Sequence, residues 1–464
     1  MLAMKHNRDQ KAENDPRQLS LLAIDGVLEK GAYTNIILDQ YLRKTKLLPS
    51  DRHLVTEIVN GTIRMLKHLD WVLNLFLTKP VDKQNPWLKN ALRMSLYQML
   101  FMERIPDYAC VNSAVDMVRD RAGTKLAGVA NGVMRNIARN RDEIKYPQPL
   151  DSIEYLAVYY SQPEWLAEKL LYEYGLEASR KILAYYNRRP ALILRNNSLL
   201  GSREELLDIL RKEGLVCEPS NRTPWGIVVS SSDKSLAEID AYQKGRFYVQ
   251  NEASMLVVSV LDPQEGEHII DLGCGVGGKT SFIAEQMNNT GSVVAYDSYD
   301  HKLTLLESNC SRLGISVVRG HNQDILDMDE GNQQFTGVLL DAPCSGLGVL
   351  NRRADARWRK NPASIAELGL LQIRLLKKAA FLVAEGGRLV YSTCTINREE
   401  NEEIVGEFLR TNPHFTLEGF DQNISYFPLD SRDKGQATTG MLTVLPGKYE
   451  TDGMFYALMR RITS

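Results

Sequence analysis

Apolar residues recur at spacings of three and four over residues 18–140, which is the pattern of amphipathic helices. Four segments carry it: LSLLAIDGVLEKGAY, LLPSDRHLVTEIVNGTIRMLKHLDWVLNLFL, PWLKNALRMSLYQMLFMERI and YACVNSAVDMVRDRAGTKLAGVANGVMRNIARN. Pro49-Ser50-Asp51 and the stretch from Pro80 to Pro86 supply caps and stops between the helices. This part of the chain therefore predicts a compact all-helical domain, and it contains no catalytic motif.

The pattern changes at KYPQPLDS, where Pro147 and Pro149 indicate a linker. A helical stretch near 152–187 is followed by ALILRNNS, a helix near 202–213 and the strand-like GIVVS. These elements predict a small α/β domain. We expect an all-helical domain at 1–145, this small domain at 146–235, and a third domain at 236–464.

From about residue 245 onwards, short apolar runs alternate with helical stretches. The predicted strands are HIIDLG, SVVAYD, ISVVRG, FTGVLLD and GRLVYST, and the predicted helices lie near 278–288, 300–313, 364–384 and 398–410. This alternation is typical of a parallel sheet with helices on both faces. In such sheets ligands bind at the carboxyl ends of the strands, so the unusual residues there are the candidates for function.

Composition narrows the class of protein only slightly. The 464 residues carry a net charge of -2, which argues against a protein that coats nucleic acid generally but permits a local basic patch. No run of eighteen apolar residues is present and the first eighteen residues are polar, so we expect neither a membrane span nor a secretory signal, and a cytoplasmic protein. The six cysteines show no Cys-x-x-Cys spacing, so neither a disulfide framework nor a metal site is indicated.

The stretch DLGCGVGGKT at 271–280 fits two ligands. Starting at Gly273 it is G-x-x-x-x-G-K-T, the phosphate-binding loop of triphosphatases, in which Lys279 would contact phosphate and Thr280 a metal. The strand VLLD, which ends at Asp341, would supply the magnesium carboxylate of such an enzyme. A P-loop ATPase is therefore one interpretation.

Starting at Asp271, the same stretch is the D-x-G-x-G-x-G loop of a dinucleotide or adenosyl cofactor. The next strand ends in Asp297, about twenty residues beyond the glycines, where a carboxylate can accept both ribose hydroxyl hydrogens. Asp324 follows the third strand and would lie near an adenine amine. A triphosphatase does not need Asp297, although the pattern suits NAD as well as S-adenosylmethionine.

Two cysteines lie just past predicted strands at this same edge, in DAPCSGLG (341–348) and YSTCTINREENE (391–402). Turn residues and polar groups surround Cys344 and Cys394, where a thiolate can form and reach a substrate. We expect Cys110, Cys217 and Cys310 to be packed as small apolar residues. With the GGKT loop, Pro343-Cys344 and Thr393-Cys394 in this order, the chain resembles the RNA cytosine-5 methyltransferases of the NOL/NOP/Sun family.

The resemblance implies a class I, Rossmann-like methyltransferase domain of the α/β class, with an N-terminal all-α NusB-like domain and a small α/β middle domain. It implies S-adenosyl-L-methionine as cofactor, S-adenosyl-L-homocysteine as product, and no metal. Besides Asp297, Asp324 and Asp341, the implied cofactor contacts are Gly273, Cys274, Gly275, Val276, Gly277, Gly278 and Lys279. The family usually has Ala-Ala-Pro where this chain has Cys274-Gly275-Val276, a difference that bears on cofactor affinity.

The resemblance also implies the catalytic roles. The thiolate of Cys394 adds to C6 of cytosine, and C5 then attacks the methyl group. Asp341 binds the edge of the cytosine, and Cys344 assists removal of the C5 proton, as a base or through a water molecule. Lys279 orients the pocket or Asp341.

The implied substrate is one cytidine of 16S ribosomal RNA, position 967 in the customary RNA numbering. The sequence leaves open whether the substrate is naked RNA or a small-subunit assembly intermediate, and nothing in it demands more than a monomer. The segment NRRADARWRK is a candidate phosphate-binding patch. Its basic residues are Arg352, Arg353, Arg357, Arg359 and Lys360. A non-catalytic RNA-binding scaffold is the remaining alternative, and retention of both motif cysteines argues against it.

Overall fold

The computed structural model describes residues 15–232, 234–328 and 334–462. The chain forms two compact units, one of Met1–Arg188 with Leu350–Arg359 and one of Arg189–Val349 with Lys360–Ser464. Residues 146–188 thus belong to the first unit, whereas the sequence assigned them to the middle domain. Residues 1–14, which bear on the expected absence of a secretory signal, lie outside the described residues. Within the described ranges, no helix has the length and apolarity needed to cross a membrane.

The first unit is helical, as the apolar spacing predicts. Its helices are α1 (Pro16–Leu28), α2 (Thr34–Lys44), α3 (Pro49–Arg64), α4 (Leu66–Phe76), α5 (Pro86–Phe101), α6 (Asp107–Ala122), α7 (Thr124–Asn140), α8 (Ile153–Tyr159) and α9 (Glu164–Tyr186). The local sequence determines where several of these helices begin. Asn85 caps α5 by accepting the amide hydrogen of Trp87, and a proline follows the cap at the first helical position, where no amide donor is needed.

The second unit begins with a four-stranded antiparallel sheet of order β2-β3-β1-β4. The strands are β1 (Leu192–Asn196), β2 (Val216–Pro219), β3 (Gly226–Ser231) and β4 (Phe247–Val249), and the helices are α10 (Arg203–Lys212) and α11 (Asp240–Gln243). Ser202 and Glu205 form a reciprocal capping box at the start of α10. The small α/β domain predicted from the sequence is therefore present.

A larger sheet of order β10-β12-β9-β8-β5-β6-β7, with β11 paired to β12, forms the rest of this unit. Its strands are β5 (His268–Leu272), β6 (Ser292–Asp297), β7 (Val318–Asn322), β8 (Phe335–Asp341), β9 (Val383–Thr393), β10 (Phe415–Leu417), β11 (Met441–Val444) and β12 (Met454–Arg461). The helices along it are α12 (Glu252–Leu261), α13 (Gly278–Gln286), α14 (Asp300–Leu313), α16 (Pro362–Phe381), α17 (Glu402–Thr411) and α18 (Ser431–Thr438). Helix α15 (Ala356–Arg359) interrupts this series in sequence and lies in the first unit.

Strands β5 to β9 pair in parallel, as expected, whereas β10, β11 and β12 are antiparallel additions that the sequence interpretation missed. The chain runs from β5 outward to β7 and then returns to β8 on the other side of β5. This reversal is a topological switch point, where such sheets bind their ligands. The carboxyl ends of β5 and β8 therefore define the site to search first.

Candidate active site

The loop between β5 and α13 is built from glycines in the left-handed region of backbone conformation. Gly273, Gly275 and Gly277 have φ of 85°, 58° and 90°, which residues with a side chain rarely adopt. A Cβ atom on Gly273 would lie 2.8 Å from the carbonyl oxygen of Asp341, so only glycine lets the β5 and β8 ends approach this closely. The loop then leads into α13 at Gly278, and the first amides of a helix have no acceptor within it.

Asp297, at the end of β6, is fixed against this loop. Its carboxylate accepts the amide hydrogen of Gly275 at 3.1 Å, that of Tyr299 at 3.0 Å, and the ammonium of Lys302 at 3.1 Å. Asp324 follows β7, is exposed, and accepts the amide hydrogen of Leu326 as the cap of a short turn. Asp297 is thus the last residue of its strand, whereas Asp324 lies two residues beyond the end of β7 and also serves as a cap.

The two side chains that suggested a triphosphatase are already paired inside the protein. Thr280 donates its hydroxyl hydrogen to Asp271 at 2.6 Å, and the Lys279 ammonium lies 2.6 Å from the Asp341 carboxylate. Burial raises the pKa of Asp271 to about 7. Burial works to lower the pKa of Lys279, but the charge and hydrogen bond of Asp341, together with the charge of Asp271, outweigh burial and raise the pKa, so the side chain is a cation at neutral pH.

The parallel pairing of β8 with β9 brings the two cysteine motifs together. Asp341 is in register with Ser392, whose hydroxyl donates to its carboxylate at 3.0 Å. The sulfurs of Cys344 and Cys394, which lie just beyond these strand ends, are 3.3 Å apart. The hydrogen bond to Cys394, burial, and the charges of Glu400 and Asp341 raise the pKa of the Cys344 thiol well above its ordinary value.

The remaining cysteines are buried and lie outside this pair. Cys110, Cys217 and Cys310 are packed in hydrophobic cores, where burial raises the pKa of each thiol. Cys274 lies in the glycine loop, and burial also raises its pKa. Val276 in the same loop is exposed, and Gly278 accepts a hydrogen bond through its carbonyl oxygen from the buried Arg195 of β1 at 2.7 Å. The sequence interpretation missed this support from Arg195.

Comparison with known proteins gives the family. Residues 258–460 match the family described as 16S rRNA methyltransferase RsmB/F, residues 14–139 the NusB family, and residues 162–234 the ferredoxin-like domain of RsmF/B-like methyltransferases. The chain is 35% identical to the "Probable ribosomal RNA small subunit methyltransferase B" of Bacillus subtilis, covering 96% of this chain and 98% of that protein. The chain belongs to this ribosomal RNA methyltransferase family. The corresponding protein of Escherichia coli is 30% identical, with 96% and 99% covered.

Two solved structures that are similar to this chain support the same assignment. PH0851 superposes with a TM-score of 0.77 at 28% identity, covering 97% of this chain and 98% of that one. NSun6 from Pyrococcus horikoshii with SFG gives a TM-score of 0.57 at 25% identity, covering 65% of this chain and 99% of that one. The resemblance drawn from the sequence is therefore confirmed, together with the fold class. The family uses S-adenosylmethionine to methylate ribosomal RNA.

The basic segment after the Pro-Cys motif requires a correction. Arg357 is 0% exposed and donates to the carbonyl oxygens of Tyr186 at 2.9 Å, Ser161 at 3.1 Å and Arg64 at 3.3 Å. Arg64 and Tyr186 end α3 and α9, where carbonyl groups lack helical donors and carry partial negative charge. Arg357 therefore stabilises helix ends within the first unit, and its predicted role as an RNA ligand is wrong for this position.

The other basic residues of the segment are not buried in this way. Arg352, Arg353 and Arg359 are exposed, and Lys360 is half-buried. Arg359 donates to the carbonyl oxygen of Gly31 at 3.0 Å and pairs with Asp355. Trp358 donates its ring hydrogen to the carbonyl oxygen of Ile63 at 2.7 Å, so it is packed rather than presented to a base.

Proposed function

We propose that this protein transfers the methyl group of S-adenosylmethionine to C5 of one cytidine in 16S ribosomal RNA, with Cys394 as the nucleophile. The observation that carries the proposal is the pair of sulfurs at 3.3 Å beside the Lys279–Asp341 ion pair. Methylation at C5 requires a group that adds to the ring and a second that helps the C5 proton leave. Two adjacent thiols beside a carboxylate suit that reaction.

The glycine loop fits the adenosyl cofactor. Its backbone can approach a ligand closely, and Asp297 lies against it with a carboxylate for the ribose hydroxyls. Asp324 is our candidate near the adenine. The bound SFG of the NSun6 relative, an analogue of S-adenosylmethionine, supports this choice. The cofactor supplies an electrophilic methyl group, and the carboxylate of Asp341 lies between the loop and the cysteines.

The two cysteines would then act in sequence. The thiolate of Cys394 forms a bond to C6, which makes C5 nucleophilic and allows it to take the methyl group. Removal of the C5 proton returns its electron pair to the ring and expels Cys394 as a thiolate. The sulfur of Cys344, 3.3 Å from that of Cys394, is placed to take that proton as a thiolate, directly or through water. The cation of Lys279 holds Asp341 for binding of the cytosine edge.

The family description names 16S ribosomal RNA, and we infer a more specific target within it. We propose cytidine 967 of 16S RNA, in naked RNA or a small-subunit assembly intermediate, and a monomeric, cytoplasmic protein. The target base must leave its stack to reach thiols at the strand ends. The P-loop ATPase alternative is disfavoured because Lys279 and Thr280 are paired with Asp341 and Asp271. A non-catalytic scaffold would have no use for the two adjacent thiols.

The test is methyl transfer from isotopically labelled S-adenosylmethionine to unmodified 16S RNA. Nucleosides and ribonuclease fragments are then analysed by mass spectrometry. We expect labelled 5-methylcytidine in a single fragment. Label in another nucleoside would contradict C5 chemistry. Absence of transfer to both naked RNA and partly assembled subunits, by folded protein, would favour the scaffold or ATPase alternative.

A further inference from the structure

The buried carboxylate of Glu400 lies between the two cysteine loops. The residue is 0% exposed and follows Cys394 by six positions, on a short turn at Arg398–Glu400. Its side-chain oxygens accept hydrogen bonds from neutral groups. These are the amide and hydroxyl of Ser345 and the side-chain amides of Gln372 and Asn397. Four donors match the capacity of an ionised carboxylate, and burial of such a group is costly unless these bonds are made.

On one side, Glu400 fixes both neighbours of Cys344. Ser345 donates its amide hydrogen to the carboxylate at 2.8 Å and its hydroxyl hydrogen to the second oxygen. Gln372 donates to the same carboxylate at 3.0 Å and to the carbonyl oxygen of Pro343 at 2.8 Å. The residues before and after Cys344 are therefore both tied to this one side chain.

On the other side, Glu400 holds the loop of Cys394. The side-chain amide of Asn397 donates to the carboxylate at 3.2 Å, and the hydroxyls of Ser345 and Thr395 are 2.8 Å apart. The backbone carbonyl of Glu400 accepts the hydroxyl hydrogen of Tyr391, on β9, at 2.7 Å. The residue that follows each cysteine is therefore linked to the same carboxylate, directly or through one hydroxyl.

We propose that Glu400 is a positioning residue that sets the spacing of Cys344 and Cys394 and so controls how fast the methylated RNA is released from Cys394. This inference rests on the proposed cytosine-5 chemistry. Proton removal from C5 depends on the distance from Cys344 to the adduct, and a misplacement of about 1 Å can cost about a hundredfold in rate. The carboxylate of Glu400 is hydrogen-bonded to Ser345, Gln372 and Asn397, so it acts through the segments that carry the two sulfurs.

The charge of Glu400 gives the proposal a second measurable consequence. After the hydrogen bond to Cys394 and burial, the Glu400 carboxylate contributes to the raised pKa of Cys344. A neutral residue at position 400 lowers that pKa. The pH profile for release of the adduct then moves to lower pH, because the Cys344 thiolate forms more readily. A side chain with a purely structural role would not shift this profile.

The experiment compares Glu400→Gln with Glu402→Gln in the full-length protein. Glutamine at position 400 has nearly the same shape as glutamate. Its side-chain NH2 group cannot accept a hydrogen bond, so it faces donors at a place where a carboxylate oxygen accepted their hydrogens. Glu402, two residues further along, accepts the hydroxyl hydrogen of Thr443 on β11 at 2.9 Å and is the matched control. We expect E400Q to bind S-adenosylhomocysteine normally, to release the adduct at least about tenfold more slowly, and to accumulate a covalent protein–RNA species on denaturing gels.

Ser345→Ala tests the same link if E400Q fails to fold, since it removes the hydroxyl bridge and keeps the amide. We expect a smaller accumulation of adduct from it. Unchanged release with an unchanged pH profile in whichever variant folds overturns the inference, and so does an equal effect of E402Q. If wild-type protein forms 5-methylcytidine and Cys344→Ala traps the adduct, such a result overturns the role of Glu400 alone. If neither occurs, the proposed function itself fails.

Discussion

Two consecutive stretches of the chain differ in how their sequence relates to their position. Residues 341–348 carry Asp341 and Cys344 to the switch-point edge of the sheet, where the motif predicts them. Residues Leu350–Arg359 follow at once, but they belong to the helical unit. There Ala354 and Trp358 join the hydrophobic core, and Arg357 is fully buried. A run of basic residues beside the Pro-Cys motif is therefore not by itself a nucleic-acid surface.

The physical reason for this difference is which hydrogen-bonding or ionic partners lie next to each charged side chain. The guanidinium of Arg357 has five donors and lies among carbonyl groups at helix ends, which need donors. Asp341 instead pairs with Lys279 at an edge that remains partly exposed. Burial depends on the partners that folding supplies, and these partners are distant in sequence.

The largest effect is expected at the cysteine pair, to which residues 341–348 contribute Cys344. Cys394→Ala should lower methyl transfer by about a thousandfold or more, because the bond to C6 can no longer form. Its thermal midpoint should stay near that of the wild type. Cys344→Ala should instead accumulate a covalent protein–RNA adduct, visible on denaturing gels. Adduct formation by C394A and not by C344A would reverse the two roles.

At the buried stretch we expect a loss of stability. Arg357→Met should lower the free energy of unfolding by about 3 kcal/mol or more, because several buried carbonyl groups lose their donors. Urea denaturation followed by helical circular dichroism measures it through the transition of the helical unit. Arg353→Met, four residues earlier and exposed, should change it by less than about 0.5 kcal/mol. Equal midpoints for the two variants would refute the anchoring role of Arg357.

Part of the arrangement at this edge of the sheet follows from the rule that parallel strands end on the same side. That rule brings Asp297, Asp341 and Cys394 together without knowledge of any loop. It could not predict Glu400, since its partners Ser345 and Gln372 meet it only through the folded loops. The last predicted element is the helix near 398–410, so the antiparallel strands β10 to β12 were missed. MFYALM at 454–459, an apolar run without alternation, was the signal for β12.

An intermediate effect is expected from the ion pair that joins the glycine loop to the catalytic stretch. Lys279→Met should lower kcat by about a hundredfold, because Asp341 loses the cation that holds it. Cofactor affinity should change little. Lys302→Met, which removes the ammonium beside Asp297, is the matched variant and should raise KM for S-adenosylmethionine with a smaller change in kcat. Identical kcat and KM changes in both variants would show that the two pairs do not have separate roles.

The smallest effect is expected from the two exposed arginines at the start of the basic segment. Arg352 and Arg353 are exposed, whereas Arg357, which belongs to the same basic segment, is buried. If the two exposed residues contact phosphates, their double change to alanine should weaken RNA binding several-fold and reduce the slope of log affinity against log salt by about one to two. Stability should be unchanged, which separates this variant from R357M. An unaltered salt slope would mean that the segment serves the fold of the helical unit alone, and that the RNA-binding surface of this protein lies elsewhere.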